Sequence, residues 1–139
     1  MGISSLVSFL ESTSEYRRDL RRAEYGDERD PAVRAVLERI SPLSRVEAIR
    51  AALFVQQGRN DPRVPQSEAE QIVKAVRAAG REAWYLLALD EGHGVGKKEY
   101  RDYAALATAT FLQRTLEAGG AVGVLLDQSL TLGSREAHR

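Results

Sequence analysis

The chain has 139 residues, 43% of them apolar and 29% charged, which is enough for one domain with its own core. Twenty basic side chains balance twenty acidic ones, so bulk charge draws the chain to neither nucleic acid nor anionic membrane. It contains no cysteine, which removes disulfide and thiolate chemistry, and no run approaches the ~18 apolar residues of a membrane span.

The N-terminal stretch Met1-Gly-Ile-Ser-Ser-Leu carries neither a basic n-region nor a cleavage site, so no signal peptide and a cytoplasmic location are expected. Ser4 or Ser5 can cap a first helical turn bearing Leu6, Val7, Phe9 and Leu10. Ser14 offers a second cap. The charged stretch that follows, residues 16–24, has Leu20 as its apolar contact and stops at Gly26. The Arg17, Arg18, Arg21 and Arg22 cluster is interleaved with Glu15, Asp19 and Glu24, which reads as i to i+4 pairing on a wet face. Asp30-Pro31 is a helix start, with Val33, Val36, Leu37 and Ile40 at helical spacing, and Ser41-Pro42 ends it. Residues 52–57 form a nearly continuous apolar run, as in a strand buried on both faces of a parallel sheet. Gln56 interrupts that run and needs a hydrogen-bond partner. A helix over 66–79 places Ala69, Ile72, Val73 and Val76 on one stripe and ends at Gly80. A second strand spans 82–89. A long helix over 99–117 turns Tyr103, Leu106, Ala107, Thr110, Phe111 and Leu116 inward. The apolar run 122–126 is a candidate extra strand. The spacing makes the two main strands parallel, with a right-handed crossover.

Each main strand ends in a loop rich in Gly and Asp. The first loop presents Asp61 and the second His93, 32 residues apart, at neighbouring carboxyl ends, where open α/β sheets bind ligands. A carboxylate that fixes an imidazole's tautomer and a base that takes a nucleophile's proton are two members of a hydrolytic triad. Alone, an Asp in an Asn-Asp-Pro turn is ordinarily a turn residue, and a His between glycines is ordinarily solvated. Their joint placement on consecutive strand ends is what favours chemistry. Asp90-Glu91-x-His93 has poor spacing for a metal site and no further His or Cys nearby, so no metal or cofactor is expected. Lys97 and Lys98 read as solvated, and His138 lies in the polar tail.

Several motifs carry a resemblance: Gln57-Gly-Arg-Asn-Asp-Pro-Arg-Val-Pro-Gln-Ser-Glu-Ala69, Trp84-Tyr-Leu, Asp90-Glu-Gly-His-Gly and Lys97-Lys-x-x-Arg-Asp-Tyr103. Together with Gly2-Ile-Ser-Ser-Leu, Ala23-Glu-Tyr-Gly-Asp and Ile40-Ser-Pro-Leu, they closely resemble the C-terminal part of prolyl oligopeptidase family (S9) serine peptidases. The nearest likeness is to the dipeptidyl aminopeptidase and acylaminoacyl peptidase branch. The resemblance implies a C-terminal fragment of an α/β-hydrolase fold, with Asp61 as triad acid and His93 as triad base. It implies a partial catalytic domain over 1–118 followed by a tail over 119–139. The family's Gly-x-Ser-x-Gly nucleophile elbow occurs nowhere in this sequence, and Ser4 and Ser5 correspond to a later loop. Ala52, Gln56 and Val95 depart from the family's usual proline, aliphatic and aromatic residues. Met1 need not be the natural start. The expectation is therefore a chain inactive by itself, acting on peptide only within a longer parent. The alternative is a non-catalytic α/β module that self-associates. Two or three strands of the family's sheet are expected; a two-stranded sheet is not independently stable, so a homo-oligomer joined through an exposed sheet edge is expected.

Overall fold

The computed structural model describes residues 2–94, 96–116 and 129–132. Three short helices come first: α1 (Leu6–Ser12), α2 (Glu15–Tyr25) and α3 (Pro31–Ile40). A 3-10 segment, Pro42–Ala48, leads to β1 (Leu53–Gly58), α4 (Gln66–Ala78), β2 (Ala83–Ala88), α5 (Lys98–Leu116) and β3 (Ser129–Leu132).

The local signals act as side-chain chemistry requires. Ser5 caps α1, its hydroxyl accepting from the Ser8 N–H at 3.3 Å. Asp30 caps α3, its carboxylate accepting from the Ala32 N–H at 2.8 Å, with Pro31 in the first helical position. Ser14 makes no such bond with α2; its hydroxyl is used elsewhere, as described below.

The sheet has the order β1-β2-β3 and is parallel throughout. Successive strand residues face opposite sides, and each side is covered by one helix. Leu53, Val55 and Tyr85 pack with Ile72, Val73 and Val76 of α4. Phe54, Leu86 and Ala88 pack with Tyr100 and Ala104 of α5. Phe54, Trp84 and Phe111 form an aromatic group on the α5 side, with ring centroids 5.5 to 6.1 Å apart. Gln56 lies on this side too, and its amide donates to Thr108 Oγ1 at 3.2 Å. That bond answers the requirement that a polar residue in this strand find a partner.

A separate apolar cluster lies under α1. Val7, Phe9 and Leu10 meet Leu37 of α3 and Val64 from the loop after β1. Of these, only Val64 comes from the sheet half.

Several expectations from the sequence are corrected. Residues 53–56 of β1 are only partly buried, because β1 is an edge strand here and β2 is the centre. A third strand joins the sheet at Ser129–Leu132, which fits the two or three strands expected but not the residues singled out for it; the run 122–126 lies outside the described residues. Leu20 of α2 is exposed, as are Val36 and Ile40 of α3. On α5, Tyr100, Ala104, Ala107 and Phe111 are buried, whereas Leu106 and Leu116 are exposed. The buried four repeat at helical spacing; Leu106 stands two residues past Ala104, on the far side of the helix.

No residue of α2 is fully buried; Tyr25 meets the Phe9 ring edge-on at 6.1 Å, and polar contacts add to its hold. The Arg22 Nε donates to both carboxylate oxygens of Glu28, at 3.1 and 3.0 Å, and Glu28 is buried. Hydrogen bonding from Arg22 holds the Glu28 carboxyl below the usual carboxylate range, outweighing the opposing effect of burial. Hydrogen bonding from Arg29 holds the carboxyl of its neighbour Asp27 below the usual range as well. A depressed folded-state pKa gives stability that is present above the unfolded value and lost as pH falls through the folded one. Replacing Arg22 with alanine is therefore expected to move acid unfolding to higher pH. The pH midpoint of the circular dichroism signal measures this, and an unmoved midpoint would count against the assignment.

Candidate active site

β1 and β2 end side by side, with Gly58 registered opposite Ala88. The two following loops are bonded to each other from that point. The Arg59 N–H donates to the Ala88 carbonyl at 2.8 Å, the Asn60 N–H to the Glu91 carbonyl at 3.0 Å, and the Asn60 side-chain amide to the Leu89 carbonyl at 3.2 Å. Gly58 makes this approach possible. A Cβ there would lie 2.2 Å from the Gly92 carbonyl oxygen and 2.7 Å from that of Glu91.

Asp61 sits in the first loop with its side chain fully buried. Oδ1 accepts from the Arg63 N–H at 2.8 Å and the Val64 N–H at 3.1 Å, an Asx-type turn. Oδ2 lies 2.9 Å from Nδ1 of His93. An ionised carboxylate only accepts, so Nδ1 carries the proton, and Nε2 is the basic nitrogen of the neutral ring. The His93 side chain is 38% exposed, against none for the acid. The arrangement is thus a buried carboxylate orienting an imidazole whose other face is reachable.

The surroundings fix both loops. The Ser14 hydroxyl donates to the Pro62 carbonyl at 2.9 Å, and the Thr13 hydroxyl to the Arg63 carbonyl at 3.4 Å. On the other side, Glu91 is buried and its carboxylate accepts from the Lys97 N–H at 2.8 Å and the Gly96 N–H at 3.2 Å, closing the His93 loop. Gly94 takes φ +106, a left-handed conformation that suits glycine. Lys97 pairs with Asp90 and Lys98 with Asp102, both on the surface. Among the described residues, no group of three or more His, Cys, Asp or Glu side chains is arranged to hold a metal ion.

The structure brings together the two residues singled out from the sequence, Asp61 and His93. His138 lies outside the described residues. Three supporting residues escaped sequence reasoning. Gln57 is fully buried, and its amide donates to the Gly58 and Val64 carbonyls at 3.0 Å each. Glu91 closes the His93 loop. Glu68 is fully buried beside α1. One signal was available for Glu68: it falls four residues before Ile72 and eight before Val76, so a carboxylate stands on the apolar stripe of α4.

Comparison with known proteins agrees with this architecture. The profile of the prolyl oligopeptidase family matches residues 1–119. Dipeptidyl aminopeptidase BIII of Pseudoxanthomonas mexicana is 42% identical over 91 residues, which is 66% of this chain and 13% of that protein. Dipeptidyl peptidase family member 6 of Caenorhabditis elegans is 35% identical over 120 residues, 84% of this chain and 16% of that protein. This chain therefore spans only a small part of the length of either relative. Among solved structures, a puromycin-hydrolyzing peptidase of Mycobacterium tuberculosis superposes with a TM-score of 0.73 at 28% identity, over 83% of this chain and 17% of that one. The parallel sheet with helices on both faces is part of an α/β-hydrolase fold, and the chain belongs to the prolyl oligopeptidase family of serine peptidases.

Proposed function

We propose that this chain supplies the acid and the base of a serine peptidase triad, and that it hydrolyses no peptide by itself. The observation that carries this reading is the 2.9 Å contact between the buried Asp61 carboxylate and Nδ1 of His93. In such a site, Nε2 of His93 removes the hydroxyl proton of an attacking serine and returns it to the leaving amine. Asp61 stays ionised, holds the ring's tautomer and stabilises the imidazolium formed between those steps. The nucleophile is the missing member, because no Gly-x-Ser-x-Gly turn occurs in the 139 residues. Within a longer parent the substrate would be a peptide, as the family's chemistry implies.

A fluorophosphonate probe tests this directly. The 139-residue chain is expected to remain unlabelled. A longer parent containing an upstream Gly-x-Ser-x-Gly turn is expected to label at that serine, and the labelling should disappear on replacing His93 with alanine. Stoichiometric labelling of the short chain at any serine would overturn the reading.

One observation favours a second role, self-association. Among the described residues β1 pairs only with β2, which leaves the backbone of its other edge open to a further strand. Light scattering on the purified chain should then report a dimer; a monodisperse monomer would rule this out.

A further inference from the structure

The fully buried carboxylate of Glu68 does not touch the Asp61–His93 pair. It belongs to the first turn of α4, where a negative charge suits the helix N-terminus. Its oxygens meet the other end of the chain. Oε2 accepts from the Ser4 N–H at 2.9 Å, the Ser4 hydroxyl at 3.0 Å and the Ser5 N–H at 2.9 Å. Oε1 accepts from the Ser8 hydroxyl. Gln71, three residues along α4, donates to the Ser4 and Ser8 hydroxyls at 2.8 and 2.9 Å. These donors are all uncharged. A buried carboxylate is tolerable only when donors of this kind replace its water.

The network pins the N-terminal end of α1 to α4. The opposite end of α1 is pinned to the Asp61 loop by the Thr13 and Ser14 hydroxyls on the Arg63 and Pro62 carbonyls. Between these ends, Val7, Phe9 and Leu10 bury Val64. Residues 63 and 64 are the same two whose N–H groups hold Asp61 Oδ1. Helix α1 is thus a strut, seated on Glu68 at one end and pressing the Asp61 turn into shape at the other.

Building on the acid–base reading above, we infer that Glu68 is a positioning residue, acting through α1 to hold Asp61 in hydrogen-bonding register with His93. The claim differs from general stabilisation, because it predicts an effect on one ring proton and not on the sheet.

In a His138→Ala background, His93 is the only imidazole. Nuclear magnetic resonance then reads the exchange of its Nδ1–H with water, while amide exchange in α5 reports on the rest of the fold. Glu68→Ala is expected to speed the ring-proton exchange by about tenfold or more and to leave the α5 amides unchanged. Glu68→Gln keeps one accepting oxygen and gains an amide that can donate to Ser8, so it should restore most of the protection. The pair Thr13→Val with Ser14→Ala leaves α4 intact and should reproduce the faster exchange; it also decides the matter should Glu68→Ala fail to fold. Ring-proton exchange as slow as the parent's in the double variant, or in folded Glu68→Ala, overturns the inference. Uniform acceleration that includes the α5 amides overturns it as well. Asp61→Ala sets the scale. Where it speeds exchange and the Glu68 and α1 variants do not, only the role of Glu68 falls; where it has no effect, the acid–base pairing falls and this inference with it.

Discussion

Replacing Gly58 with alanine is expected to destabilise the chain by about 3 kcal/mol and to abolish the contact between Asp61 and His93. In a strand, alanine is ordinarily the better residue by about 0.5–1 kcal/mol, because glycine loses more backbone freedom on folding. The sign reverses here for a steric reason. The added carbon would lie 2.2 Å from the Gly92 carbonyl oxygen, 2.7 Å from the Glu91 carbonyl oxygen and 2.9 Å from the Glu91 carbonyl carbon. All three are backbone atoms, so no side-chain rotation relieves the clash. The loops must separate where Arg59 and Asn60 bond to Ala88 and Glu91, and that separation pulls the acid from the base. Denaturant unfolding gives the first quantity and the His93 ring spectrum the second. A variant within about 0.5 kcal/mol of the parent, the range of an ordinary surface change, would show that this approach is not tight in solution.

The second large effect concerns chemistry rather than stability. Asp61→Asn keeps the shape of the side chain and one accepting oxygen. That oxygen is expected to stay on the Arg63 and Val64 N–H groups, which offer two donors on the Oδ1 side. The amide nitrogen then faces Nδ1 of His93 and donates to it. The ring must move its proton to Nε2, the position that has to be free to accept from a nucleophile. The fold should survive while the tautomer inverts, which the ring nitrogen shifts of the 139-residue chain would reveal. In a longer parent that carries the serine, kcat should fall by roughly 10⁴-fold, with a much smaller change in KM. A loss under about tenfold would show that Asp61 does not serve as the acid of this site.

Much of this fold is legible in the sequence. Asp30-Pro31 marked the start of α3, and the Ala69, Ile72, Val73 and Val76 stripe marked the buried face of α4, because both signals are local. The proximity of Asp61 and His93 followed from spacing, since one helix and one strand between two strand ends leave little choice of geometry. The rest depended on distant contacts. Nothing near Glu68 in the sequence announces that its partners are Ser4, Ser5 and Ser8, some 60 positions away. Leu106 and Leu116 look inward only because they are apolar; α5 has one covered stripe, and Tyr100, Ala104, Ala107 and Phe111 fill it. The strand at Ser129–Leu132 was overshadowed by the stronger apolar run before it. Burial of β1 was overestimated because a sequence shows how apolar a strand is but not how many neighbours it has.

The apolar cluster under α1 meets the sheet half through one side chain, Val64, and a handful of polar contacts. Two cores so thinly joined need not come apart at the same temperature. Loosening of the helical half alone would set the acid's loop adrift while Glu91 still kept the base's loop closed. Such a protein would lose the Asp61–His93 contact to a partial, reversible opening well before it lost its sheet, while most of the backbone remained native.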